Sequence, residues 1–196
     1  MLTFAAAVFF LIISPGPGVL SAAGVGAAYG FRAGLRFVAG LCIGQLIVIA
    51  MVLTGLTALL LANPAIRIIL LALSTAYLLY LAARIAFAGS SISFIEAQKE
   101  PGVITGLLLQ PINPKAYVVN TTLFTGFALY PEALWAEYAV KLVILNLIWI
   151  PIHVGWVWFG VTLHRLDLAE RTQRLINYAM AASMLIVVGL ALASSL

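Results

Sequence analysis

Ser14-Pro15-Gly16-Pro17-Gly18 sets two prolines into an apolar run that carries no acid or base from Met1 to Phe31. A second interruption, Gln110-Pro111-Ile112-Asn113-Pro114-Lys115, stands about half a chain later, and Lys115 is the only charge between Glu100 and Glu132. Proline removes a backbone donor and its ring collides with the preceding turn, so a helix must kink or unwind at each place. In hydrocarbon, the freed backbone groups persist only where protein or a wet cavity satisfies them. Paired interruptions in corresponding halves of a membrane chain point to a central binding site.

Composition sets the surroundings of these breaks. Only 8% of the residues are charged, against roughly 25% in a globular chain, and 64% are hydrophobic. Mean hydropathy is +1.16. Charge is absent from Met1 to Phe31, from Phe37 to Ile66 and from Leu175 to Leu196. Each run exceeds the ~20 residues that cross a bilayer core. The expected fold class is an all-α integral membrane protein. The first run lacks a basic leader and is too long for a signal core, so a retained helix is expected. The formal charge of +4 comes from single bases at loop ends, which argues for topology signals and against a nucleic-acid partner. Cys42 is the sole cysteine, so neither a disulfide framework nor a CxxC pair exists.

Six spans are predicted, over residues 2–23, 37–61, 65–88, 101–130, 140–163 and 175–194. A glycine-rich connector over 24–36, the turn Asn63-Pro64, and loops over 89–100, 131–137 and 164–174 join them. Odd-numbered connections hold Arg32, Arg36, Arg84, Lys99, Arg165, Arg171 and Arg174, while even-numbered ones hold Arg67 and Lys141. By the positive-inside rule both termini fall on the non-cytoplasmic face of a multi-pass protein. Three helices per half force similar halves into opposite orientations. Pro111 follows Pro15 by 96 residues and Pro114 follows Pro17 by 97, close to half of the 196. The expectation is one transmembrane domain, 1–196, built as a 3+3 inverted repeat (halves about 1–90 and 96–196) with proline-broken helices 1 and 4.

The polar residues inside these spans are few. A charge at the depth of Lys115 costs about 2.5–3.5 kcal/mol and is usually functional or paired. The alternative is a side chain that snorkels to the interface, but the adjacent break favours a cavity. Gln110, Asn113, Tyr117, Asn120 and Thr121 share one stripe of the fourth span at 100° per residue. Lys115 would point roughly 140° away from Gln110 on a continuous helix, so the break must redirect it if all share one cavity. The stripe serves either as a partly wet wall or as a seam of interhelical hydrogen bonds. Asn146, Trp149 and His153 lie on one face of the fifth span. His153 is either a titrating group or a packing residue, and Gln45 is either a ligand contact or an amide paired across helices. Gly40 and Gly44 have GxxxG spacing, for contacts within the chain or between copies, which leaves a homo-oligomer open. Unwound helix ends offer N–H groups at one side and carbonyls at the other, which suits the carboxylate and ammonium of a small zwitterion. Gly16 and Gly18 allow a ligand close to the backbone.

At these residues the chain resembles the lysine exporter and homoserine/threonine exporter (LysE/RhtB) family of bacterial amino-acid exporters. The likeness rests on S-P-G-P at 14–17, G-F-R-A-G-L at 30–35, A-Y-L-L-Y-L-A at 76–82 and N-P-K-A at 113–116, in order over nearly the whole chain. It implies a secondary transporter of the bacterial inner membrane that exports amino acids or related small metabolites. The family commonly has Asn or Asp after P-G-P, where this chain has Gly18, and often an acid where Gln45 follows Gly44. Both departures remove polarity or charge, which favours a neutral substrate over a cationic one.

The functional expectation is export by alternating access around the two breaks. Pro15, Gly16, Pro17, Gly18, Asn113, Pro114 and Lys115 contact substrate, with Gln45, Asn146 and His153 as further contributors. The alternative is a membrane-embedded assembly or scaffold protein with structural kinks and no transport activity. The sequence holds no HExxH, no Cys/His cluster, no GxSxG and no Walker loop, so neither an enzyme nor a cofactor or metal is expected. The expected partners are a zwitterionic substrate and the lipid bilayer.

Overall fold

The computed structural model describes residues 1–56, 100–166 and 169–193, with isolated positions between 63 and 83. Those positions aside, the predicted third span (65–88), the loop 89–99 and the end of the second span lie outside the described residues. Among the described residues the regular elements are helices: α1 (Leu2–Ile13), α2 (Pro17–Leu53), α3 (Val103–Leu109), α4 (Pro114–Thr125), α5 (Leu134–Arg165) and α6 (Glu170–Ala193).

Helix α1 stops at Ile13, and Ser14 is extended (φ −61°, ψ 134°), because the ring of Pro15 disfavours a helical residue before it. The Ser14 hydroxyl donates to the Leu11 carbonyl at 2.9 Å, satisfying one of the oxygens the helix end leaves over. Gly16 is fully extended, and Pro17 opens α2 at the first helical position, where a missing N–H does no harm. In the second stretch α3 ends at Leu109 and α4 begins at Pro114. The Asn113 side chain caps α4 by accepting from Lys115 N–H at 3.1 Å. The Asn63 side chain accepts from Ala65 N–H at 3.0 Å, a local turn where Asn63-Pro64 predicts one.

The glycine-rich connector expected over 24–36 is helical on both sides of one residue, Gly30, at φ +83° and ψ 175°. Only glycine takes that conformation without a Cβ penalty. Other glycines of the stretch are there for packing. A Cβ on Gly26 would lie 2.5 Å from the Val157 carbonyl oxygen, and one on Gly34 would lie 2.3 Å from Val157 Cγ1. Small residues thus let α2 press against α5. Gly40 and Gly44 do the same toward α3: a Cβ would fall 1.9 Å from the Val103 oxygen and 2.5 Å from the Leu107 oxygen, respectively. Gly106 reciprocates, its Cβ position lying 2.2 Å from the Phe37 oxygen. This GxxxG pair therefore serves a contact within the chain.

Helix α2 is central, packed against α5, α3 and α4, while α1 lies against α5 and α4. Helices α2 and α5 are each long and apolar enough to cross a bilayer by length and composition. Along α5 the buried positions include Lys141, Leu145, Trp149, His153 and Val157, whereas Val143, Leu147, Ile150 and Trp158 face outward. Apolar residues outside and polar ones inside suit lipid rather than water as the surroundings.

Helix α5 starts at Leu134, earlier than the predicted 140, and so takes in Glu137 and Lys141. Both are buried, and Lys141 is not the connecting base that the charge count makes it. Lys141 Nζ lies 2.6 Å from Glu137 Oε1. It also donates to the Phe124 carbonyl at 3.0 Å and to the Phe127 carbonyl. Glu137 Oε2 accepts from the N–H groups of Leu129, at 3.0 Å, and Tyr130, at 2.7 Å. The pair ties the end of α4 and the following loop to the first turn of α5.

Candidate functional site

The two interruptions are bonded to each other. Lys115 stands in the first turn of α4, whose amide end repels a cation. Its side chain crosses to the opposite end of α1 instead, where Nζ donates to the Ser14 carbonyl at 2.5 Å and to the Ser14 hydroxyl at 2.8 Å. Carbonyls at a helix C-terminus favour a positive charge. The lysine stem lies over Gly16, where a Cβ would meet Lys115 Cδ at 3.0 Å. A Cβ at Gly16 would make the lysine stem give way by a few tenths of an ångström.

Beneath the bridge is a cavity of about 40 Å³. Gly16, Gly18 and Val19 form the wall from the first interruption, and Gln110, Asn113 and Lys115 the wall from the second. Gln45 of α2 with Trp149 and His153 of α5 complete its polar lining among the described residues, and Ile12, Ala116 and Val119 supply apolar surface. The break redirects the chain enough for Gln110 and Lys115 to share one space, as the shared-cavity reading required.

Four amides run along one side in a single direction. Asn113 Nδ2 donates to Gln110 Oε1 at 3.2 Å, Gln110 Nε2 to Gln45 Oε1 at 3.3 Å, and Gln45 Nε2 to Asn120 Oδ1 at 3.0 Å. Asn120 Nδ2 ends the chain on the Ala116 carbonyl at 2.6 Å. The direction is fixed at both ends. Asn113 Oδ1 must accept from a backbone N–H, and the Ala116 oxygen can only accept. Of the predicted stripe, Gln110 and Asn113 line the cavity, Gln110 and Asn120 bond to Gln45 across the helices, and Gln45 serves both roles.

His153 faces this row from α5. Its Nδ1 lies 2.9 Å from the Trp149 carbonyl oxygen, which accepts and cannot donate. Nδ1 therefore carries the hydrogen, and in the neutral imidazole Nε2 presents a lone pair. The ring stacks on the Trp149 indole at 3.6 Å between centroids and 19° between planes. Nε2 points toward Gly18, where a Cβ would come within 3.5 Å of it.

Of the residues the sequence singles out, Gly16, Gly18, Gln45, Asn113, Lys115 and His153 line the cavity together. Pro15 and Pro17 shape the backbone without lining it, and Pro114 opens α4. Asn146 stands apart: its Nδ2 donates to the Leu142 carbonyl at 2.8 Å, and its Oδ1 faces Cys42 Sγ at 3.8 Å. It joins α5 to α2 outside the cavity. Tyr117 turns back to the Pro111 carbonyl at 2.8 Å, and Thr121 is exposed. Ser14, Gln110, Asn120 and Trp149 belong to the arrangement although the sequence reading does not count them among the substrate contacts. For the two amides, membership of the polar stripe was the available signal.

A helical membrane protein with its polar groups gathered where two helix interruptions meet is the architecture of a membrane translocator. The model of the LysE type translocator family matches residues 9–196, and the chain belongs to that family. Its members are membrane transporters rather than enzymes. Comparison with curated proteins and with solved structures gives no match.

Proposed function

We propose that the chain is a secondary transporter of the bacterial inner membrane that exports amino acids, neutral ones or close derivatives. It works by alternating access of two inverted three-helix halves around the interruptions at 14–16 and 110–113. The observation that carries this reading is the bond from Lys115 to Ser14 across the cavity, which joins the two interruptions at one polar point. The cavity of about 40 Å³ has room for ordered water. Small-molecule sites run to roughly 300–1,000 Å³, so substrate enters only when the walls part. Halves that open alternately to the two faces would part them one side at a time.

The lining also argues for a neutral side chain on the substrate. Among the described residues no carboxylate lines the cavity, and its one ammonium is held by neutral oxygens. A cationic side chain would enter beside Lys115 with no counter-charge, which low dielectric penalises heavily. Substrate contacts fall to Gly16, Gly18, Gln45, Asn113, Lys115 and His153, while Asn146 acts in packing.

Efflux of a preloaded neutral amino acid from proteoliposomes tests the proposal. Lys115→Ala and Asn113→Ala should each lower the rate by about tenfold or more, in line with loss of a charge-assisted contact. Wild-type rates from variants that remain folded would remove these residues from the site.

A further inference from the structure

Two polar groups of the cavity are left with bonding capacity that the protein does not use. Lys115 Nζ has three donors, and Ser14 accepts two of them. His153 is buried at 4% exposure. Its Nδ1–H is committed to Trp149, and its Nε2 has no partner among the described residues. One group is a cation with a donor to spare, and the other a lone pair without a donor. Both lie against the start of α2, over Gly16 and Gly18 respectively. Gly16 caps that helix with no side-chain bond. The N–H groups of Gly18 and Val19, in its first turn, have no acceptor within the helix. Both residues line the cavity.

These observations fit a ligand that brings a negative and a positive end a few ångströms apart. We infer that the site reads a free α-amino acid by its two charged ends in a fixed orientation. The carboxylate lies on the N-terminus of α2 and on Lys115, and the ammonium donates to His153 Nε2. This rests on the export reading above and assigns the roles within it. The Trp149 carbonyl and indole hold the histidine ring so that its lone pair stays turned to the cavity, which makes Trp149 a positioning residue. A carboxylate without an ammonium would leave the lone pair unpaired. An amine without a carboxylate would meet Lys115 as a like charge. Either omission costs affinity, because a buried group without a partner loses its hydration for nothing.

Equilibrium binding to the purified full-length chain in nanodiscs tests the assignment. L-alanine, L-threonine and L-leucine are screened, and the tightest is paired with its des-amino acid and its decarboxylated amine (for leucine, 4-methylpentanoate and 3-methylbutylamine). Wild type should bind the amino acid about tenfold or more tighter than either analogue. His153→Phe keeps a flat ring on Trp149 but removes the acceptor. It should lose about tenfold for the amino acid and leave the des-amino acid unchanged, and His153→Gln should restore part of the loss. Lys115→Met should weaken the amino acid and the des-amino acid alike. If His153→Phe weakens both ligands equally, or keeps the wild-type preference, the orientation is wrong although export stands. Failure of wild type to bind any of the three amino acids would overturn the export reading, and the orientation with it.

Discussion

Lys141 Nζ spends all three of its donors inside the protein, on Glu137 and on the carbonyls of Phe124 and Phe127. The rings of Phe4 and Phe124 each stand 5.9 Å from the same nitrogen. A buried pair so fully satisfied is a poor candidate for transport chemistry and a good one for holding a loop. Removing one partner strands the other charge, whereas removing both leaves no orphan charge. Glu137→Gln and Lys141→Met should therefore each lower Tm in detergent by several degrees, and the double variant should lose less than the two singles combined. Strict additivity of the three Tm shifts would show that the pair is not coupled. None of these variants should alter substrate preference, since neither residue lines the cavity. The sequence hides this pair because a base near the end of an apolar run looks like a topology signal. Its burial depends on a loop, 126–133, that folds back over the first turn of α5.

At the scale of elements, the helix ends beside the prolines follow from local chemistry. Proline chemistry stops α1 before Pro15 and starts α2 and α4 at Pro17 and Pro114. The glycines were legible only as a class, because the same residue serves a turn at Gly30 and close contact at Gly26 and Gly34. Composition cannot separate these uses, since each depends on where α5 lies. The α2–α3 seam is the tightest of these contacts. Gly40→Ala would set a methyl 1.9 Å from the Val103 oxygen, so one backbone must move. Overpacking of this kind costs about 1–3 kcal/mol. Gly155→Ala on α5, with open space around it, is the matched control and should be neutral or slightly stabilising, because alanine is the better helix former. Equal thermal stability of the two variants would show that α2 and α3 do not meet as closely as described.

For the whole molecule, the inward row of Lys141, Trp149 and His153 and the outward row of Val143, Leu147 and Ile150 give α5 the polarity of a helix set in lipid. The proposed orientation follows from the seven bases on odd-numbered connections against two on even-numbered ones. Discounting Lys141 as a buried partner strengthens that bias. Tags at either terminus should react with a membrane-impermeant reagent from outside spheroplasts and not from the cytoplasmic side of inverted vesicles. Reaction of both tags from the cytoplasmic side would reverse the topology. The sequence by itself determined the helical membrane class, the positions of the two breaks and the group of residues from which a site could be made. Hydrocarbon leaves few ways to place polar backbone, and proline acts on its own neighbours. Only the tertiary structure decided that Lys115 reaches Ser14, that four amides run one way, and that Asn146 stays outside while His153 turns its lone pair inward. Those facts depend on how α4 and α5 are set against α2, an arrangement of residues distant in sequence that no local pattern records.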